Sequence, residues 1–230
     1  MKIPGITAKW LFILCLPVLL LSTSIGGAFN SLWLYKYGFE RYNIGQTTGL
    51  VEVELEKAAT GLISYFNSDE EYISLIVIKD GESFVLFNQR EAAHLRDVKG
   101  LIWLDYWVWL GALIYVLAYA GVSIFWWKDC WRLACEVVGG SSIVLGIIIA
   151  MGIGSALLNF QQLFIQFHFL AFTNELWILD PTKDYLIMLF PQDFWQYAAT
   201  LCALGAVSLA VILGGVAGSY LLFTRSKAAS

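Results

Sequence analysis

The sequence predicts an α-helical membrane protein: four transmembrane helices, a small outward-facing α+β loop domain and a second, aromatic-rich interfacial loop. Three observations predict it. The 230 residues are 59% hydrophobic and only 14% charged, against roughly a quarter charged in soluble domains. Mean hydropathy is +0.68. Four apolar runs also reach the roughly 20 residues that a helix needs to cross the hydrocarbon core. With a net charge of −4 there is no basic footprint for nucleic acid.

The spans are expected at about 10–35, 101–127, 137–158 and 197–223, within one integral membrane domain covering 1–230. Lys2 and Lys9 open the first run, and SIGGAFN follows it as a loose small-residue site, so a cleaved signal peptide is the competing reading. The run is long for one and aromatics flank it, which favours an uncleaved anchor. Lys2 and Lys9, Lys128 and Arg132, and Arg225 and Lys227 all fall on one side of a four-span arrangement. By the positive-inside rule that side is the cytoplasm, with both termini in it. Loops 36–100 and 159–196 then lie on the outer side of the membrane.

Two spans carry Gly-rich stretches, GIIIAMGIG and ALGAVSLAVILGGVAGS, which suit close helix packing. Trp103, Trp107, Trp109, Trp126, Trp127, Trp177 and Trp195 fall near expected membrane interfaces, as aromatic belts do. The four cysteines make no disulfide framework.

In the first loop, TTGLVEVELEKAATGLISYFN has apolar residues near helical spacing, although VEVEL also alternates as a strand would. SLIVI and SFVLF flank Lys79-Asp80-Gly81-Glu82, a hairpin signal. Asn88 with Glu91 three residues on fits an N-cap and its N3 partner. A helix is therefore expected from Asn88, running on into the second span. In the second loop, Phe160, Leu163, Phe164, Phe167 and Leu170 line one helical face. Asp184 can open a short helix that Pro191 stops.

The chain has only two histidines, His94 and His168, one in each outer loop. Glu91, His94 and Asp97 are spaced three apart and Arg90 lies four before His94, so these side chains are neighbours on a helix. A carboxylate beside a histidine can fix its tautomer and orientation; a solvated charged face is the plainer reading. No His-Glu-x-x-His, nucleophile elbow or phosphate loop is present. The spans lack the buried charges of a transporter.

The stretch FNQREAAHLRDVK and the stretch FHFLAFTNELWILDPTKDYLIMLFPQDFW resemble the two signatures of a family of four-span bacterial membrane proteins that includes the lipoprotein intramolecular transacylase. The Thr173–Glu175 stretch departs from the family pattern. The resemblance implies transfer of the sn-2 acyl chain from the S-diacylglyceryl group to the α-amine of a lipoprotein's N-terminal cysteine, leaving the lyso form. It implies His94 and His168 as the acid/base pair, with Asn88, Arg90, Glu91 and Asp97 as orienting or oxyanion-binding groups. It also implies diacylglyceryl-modified lipoproteins and membrane lipid as partners, and neither metal nor cofactor. The alternative readings are a non-catalytic membrane binding or assembly partner with an outward domain, and a metal-dependent lipid hydrolase.

Overall fold

The computed structural model of the chain describes residues 5–229. It is mostly helical with a single hairpin: α1 Ile6–Phe29, α2 Leu32–Arg41, α3 Ile44–Thr48, α4 Glu52–Phe66, β1 Ile76–Lys79, β2 Glu82–Val85, α5 Gln89–Gly121, α6 Cys130–Ala171, α7 Tyr185–Leu189 and α8 Gln192–Ala229. Among the described residues, four helices are long and apolar enough to cross a membrane, at Ile6–Phe29, Gln89–Trp126, Cys130–Ser155 and Gln192–Lys227. A short π-helical turn, Val122–Trp126, ends the second.

The chain divides into two compact units. The first comprises Met1–Gly26, Asp105–Gly154 and Leu201–Ser230. Its core joins Phe12, Ile13, Leu16 and Leu20 of α1 to Val116 and Tyr119 of α5, Val144 of α6, and Ala206 and Ala210 of α8. The Phe12 and Tyr119 rings stack at 4.7 Å. Small residues let these helices close up, but not all at the places their sequence suggests. A Cβ on Gly140 would sit 2.9 Å from Leu16, and one on Gly214 would sit 3.1 Å from Ser141. Gly146, Gly152 and Gly154, in the GIIIAMGIG run, have nothing within 4 Å of that position. A stripe of small residues marks a face able to pack; it does not say which face meets a neighbour.

The second unit comprises Gly27–Leu104 and Ser155–Thr200, the parts that carry both histidines. The first span ends at Phe29 rather than near 35. Ser31 there caps a new helix, its side chain accepting a hydrogen bond from the Leu34 N–H. Trp33, Leu34 and Tyr35 are apolar, yet they belong to the amphipathic α2, which the sequence reading merged into the span. The third span begins at Cys130 rather than near 137. Arg132 and Glu136 look like connector charges, but they pair within the helix at 2.9 Å, with Glu136 buried.

The segment read as helix or strand is helical: α4 turns Ala58, Ala59, Leu62 and Tyr65 inward. The hairpin forms around Asp80 and Gly81, with φ of 54° and 84° and Lys79 paired to Glu82. Positive φ at both central residues is what a two-residue hairpin turn requires.

Aromatic rings bind α2 to the start of α8. Tyr35 meets Phe190 and Phe194 edge-on or tilted, at 5.7 and 6.3 Å. Gly38 faces the Phe194 ring, and a Cβ there would overlap it. Phe194 is itself buried and wedged against Phe190 and Trp195, so it has little room to retreat. Gly38→Ala is expected to cost about 1–3 kcal/mol, the usual range for overpacking. Its thermal unfolding midpoint in detergent should fall clearly below that of the unaltered protein. An unchanged midpoint would mean the ring is free to move.

Candidate active site

The N-terminus of α5 is built as the sequence predicts. Asn88 Oδ1 accepts hydrogen bonds from the N–H groups of Arg90 (2.9 Å) and Glu91 (3.0 Å), and Glu91 Oε2 accepts from the Asn88 N–H (2.7 Å). This reciprocal capping satisfies N–H groups that no helical carbonyl can reach. The other Glu91 oxygen, Oε1, accepts from the N–H of Leu186 at 2.7 Å. One buried carboxylate, 1% exposed, therefore caps both α5 and α7. Asp184, which precedes α7, does not cap it with its side chain. Its oxygens instead accept from Asn88 Nδ2 (2.9 Å) and from the N–H of Asp180 (2.7 Å). Asn88, Glu91 and Asp184 thus knit the start of α5 to the second loop.

One helical turn on, His94 is 6% exposed and its Nδ1 is buried without a hydrogen-bond partner among the described residues. Glu91 and Asp97 were both candidates to orient it. Among the described residues neither carboxylate bonds to His94: Glu91 is taken by the backbone N–H groups above, and Asp97 Oδ2 accepts from Asn174 Nδ2 at 2.8 Å. Arg90 reaches the same segment, donating from Nη2 to the Glu175 carbonyl at 2.7 Å and from Nε to the Leu176 carbonyl at a long 3.5 Å.

The second histidine arrives on a helix of its own making. At Asn159 the backbone leaves helical geometry (φ 55°, ψ 158°), so α6 consists of two helices meeting at a kink. Asn159 Oδ1 accepts from the Gln162 N–H at 3.0 Å, which restarts the helix. His168 lies two turns further, 7% exposed. Its Nδ1 is 2.7 Å from the carbonyl oxygen of Phe164. A carbonyl only accepts, so the proton of the neutral ring sits on Nδ1 and the lone pair on Nε2. Burial pushes the imidazole below its ordinary range, partly opposed by the Phe164 carbonyl bond.

The two imidazoles lie 6.0 Å apart, centroid to centroid, with planes 32° apart. Phe172 touches both, at 5.0 Å from His94 and 5.5 Å from His168. Phe164 stands edge-on to His168 at 4.4 Å, and Trp177 is tilted against it at 4.9 Å. The result is an aromatic-walled pair of rings, the only histidines in the chain. Two positive charges would repel each other here, so the pair is suited to exchanging protons rather than to holding charge. Among the described residues, no group of three or more His, Cys, Asp or Glu is placed to hold a metal ion.

A sequence profile of the lipoprotein intramolecular transacylase family Lit matches residues 10–195. The chain belongs to the Lit family. No curated sequence is similar enough to count as a relative. Among solved structures, the membrane integral lipoprotein intramolecular transacylase Lit from Bacillus cereus superposes with a TM-score of 0.81 at 20% identity, over 96% of this chain and 97% of that one. Two variants of the same Bacillus cereus protein, with one histidine changed to arginine or to alanine, each give 0.77 at 19% identity, over 96% of this chain and 93% or 94% of theirs. At these identities the likeness is one of fold.

In this Lit-family chain the histidines, Asn88, Arg90, Glu91 and Asp97 all fall in one unit. Four further residues were not singled out by sequence as part of a site: Phe172, Asn174, Trp177 and Asp184. Trp177 reads as a belt residue because it is a tryptophan near a span. Asn174 lies in the stretch that departs from the family's pattern. For Phe172 and Trp177 the sequence signal is the density of aromatics around His168, too many for a solvated loop; Asp184 is legible only as the start of a short helix.

Proposed function

We propose that this chain transfers the sn-2 acyl chain of an S-diacylglyceryl lipoprotein to the α-amine of the same N-terminal cysteine. The observation that carries the reading is the buried pair of histidine rings at 6.0 Å, one with its tautomer set by a carbonyl. An α-amine has a pKa of about 7.7–8 and needs a base. The amine nitrogen attacks the ester carbonyl carbon, and its proton goes to His168 Nε2. The tetrahedral intermediate then expels the glycerol oxygen, which takes a proton from His94. His94 is reprotonated by the proton that His168 removed from the amine, so both rings end neutral as they began. The amide forms as the ester breaks, and no atom enters or leaves the lipoprotein. Donor and acceptor share one molecule, so proximity supplies much of the acceleration, and the proposed reaction needs neither metal nor cofactor. Loops 36–100 and 159–196 face outward in this reading, with both termini in the cytoplasm.

Asn88 and Glu91 then serve the site by building the helix end that carries His94. Purified protein incubated with a synthetic diacylglyceryl lipopeptide should yield the N-acyl product equally with and without a chelator. Loss of product with chelator would move the metal-dependent reading ahead.

A base must be neutral to work, and His168 meets that condition at neutral pH. The direction of its shift sets the sign: the folded chain binds the His168 proton less readily than the unfolded chain does. Stability from this group is therefore complete above about 6.5 and declines as pH falls through its lowered value. A nitrogen-15 NMR titration of the histidines should place the His168 midpoint below 6.5. A midpoint at or above that value would contradict the assignment.

A further inference from the structure

We propose that Arg90 and Asp97 are positioning residues: two turns apart on α5, they clamp the 174–176 turn and so hold the Trp177 ring against His168. The geometry stands on its own; the catalytic consequence rests on the acyl-transfer reading above. From Phe172 to Asp184 the chain has neither helix nor strand, so individual hydrogen bonds must hold it. Asn174 Oδ1 closes the turn by accepting from the Leu176 N–H at 3.0 Å, while Asn174 Nδ2 donates to Asp97 Oδ2 at 2.8 Å. Arg90 Nη2 donates to the Glu175 carbonyl at 2.7 Å. Trp177 follows at once, between the rings of His168 at 4.9 Å and Phe169 at 5.2 Å.

Residues seven apart on a helix share a face, so Arg90 and Asp97 grip successive points of the one turn. The charged and titratable groups on the elements around His168 are Arg90, Glu91, His94, Arg96, Asp97, Lys99 and Asp105 of α5, with Glu175, Asp180, Lys183 and Asp184 in the loop; of these, His94 meets its ring. Since no carboxylate among the described residues pairs with His168, its neutral state depends on apolar walls. Trp177 is the wall that the clamp controls. Release of the turn lets water reach the imidazole.

The test combines histidine titration by NMR with acyl transfer to the lipopeptide, in Arg90→Ala, Asp97→Ala, Asp97→Asn, Trp177→Ala and the double variant Arg90→Ala/Trp177→Ala. Arg90→Ala and Asp97→Ala should raise the His168 midpoint towards the ordinary histidine value. They should lower kcat by about 10- to 100-fold, the scale of a misplaced catalytic group. Asp97→Asn keeps an oxygen for Asn174 and should behave as the unaltered protein. The double variant should fall no further than Trp177→Ala alone, because both changes remove one thing. Should Asp97→Ala fail to fold, Asn174→Ala deletes the same bond from the exposed side. Folded clamp variants with an unmoved His168 midpoint, or a double variant whose losses multiply, would overturn the proposal. Unaltered protein that transfers no acyl chain would instead sink the functional reading, while the titration still judges the clamp.

Discussion

His94→Ala and His168→Ala should each all but abolish formation of the N-acyl lipopeptide. A positioned acid or base contributes about 10²- to 10⁴-fold, and each variant removes one from a site where water is a poor substitute. His168 is buried among Phe164, Phe167, Phe172 and Trp177, so its removal leaves an apolar hole with no proton acceptor. His94 has an unpaired, buried Nδ1. Removing it relieves a buried polar atom without a partner, which costs free energy, but leaves a cavity, which also costs free energy, so His94→Ala should change stability far less than it changes turnover. That combination separates function from structure. Thermal unfolding and product formation measured on the same preparations check it, and a His94→Ala protein that still turns over normally would remove His94 from the mechanism.

Glu91→Ala should have the largest effect on stability. The carboxylate satisfies the backbone N–H groups of Asn88 and Leu186, both at 2.7 Å, and almost no solvent reaches it. Without it the buried N–H of Leu186 loses its partner, at about 1–3 kcal/mol, and the part-buried N–H of Asn88 loses its own. Against a typical total of about 5–15 kcal/mol, that is a large fraction. The damage would fall on the ends of α5 and α7, so His94 should lose its placement as well. Glu91→Gln retains one oxygen and should lose roughly half as much. The unfolding midpoints of the two variants should therefore rank unaltered protein, Gln, then Ala. Equal midpoints for all three would show that the double cap carries no stability.

The parts of this fold legible in the sequence are those set by local rules. Apolar runs gave the four spans, Asp80-Gly81 gave the hairpin turn, and Asn88 with Glu91 gave the start of α5. In each case the deciding interaction lies within a few residues. The errors lie where a distant partner decides. Trp33 to Tyr35 looked like the end of a span because apolarity does not distinguish lipid from the aromatic face of α8. Arg132 and Glu136 looked like a connector because charge hides the possibility of pairing inside a helix.

The candidate site divides in the same way. Helical spacing put Glu91 and Asp97 beside His94, and both are indeed near it in sequence. Spacing could not reveal that the N–H of Leu186 and the amide of Asn174 would claim them. The encounter of His94 with His168 joins positions 74 residues apart. No periodicity contains it; the family signatures brought the two together, and the fold places them 6.0 Å apart.

The central claim is tested most directly in cells of a host that otherwise leaves its lipoproteins as diacyl forms with free amines. The protein is expressed there, and the N-terminal lipopeptide is read by mass spectrometry with fragmentation. Intramolecular transfer leaves the total mass unchanged, so the fragments must locate the acyl chain. The account predicts the chain on the cysteine nitrogen, with a monoacylglyceryl group on sulfur. Lipopeptides that keep both chains on glycerol, in membranes containing folded protein, would contradict it and favour a non-catalytic partner role.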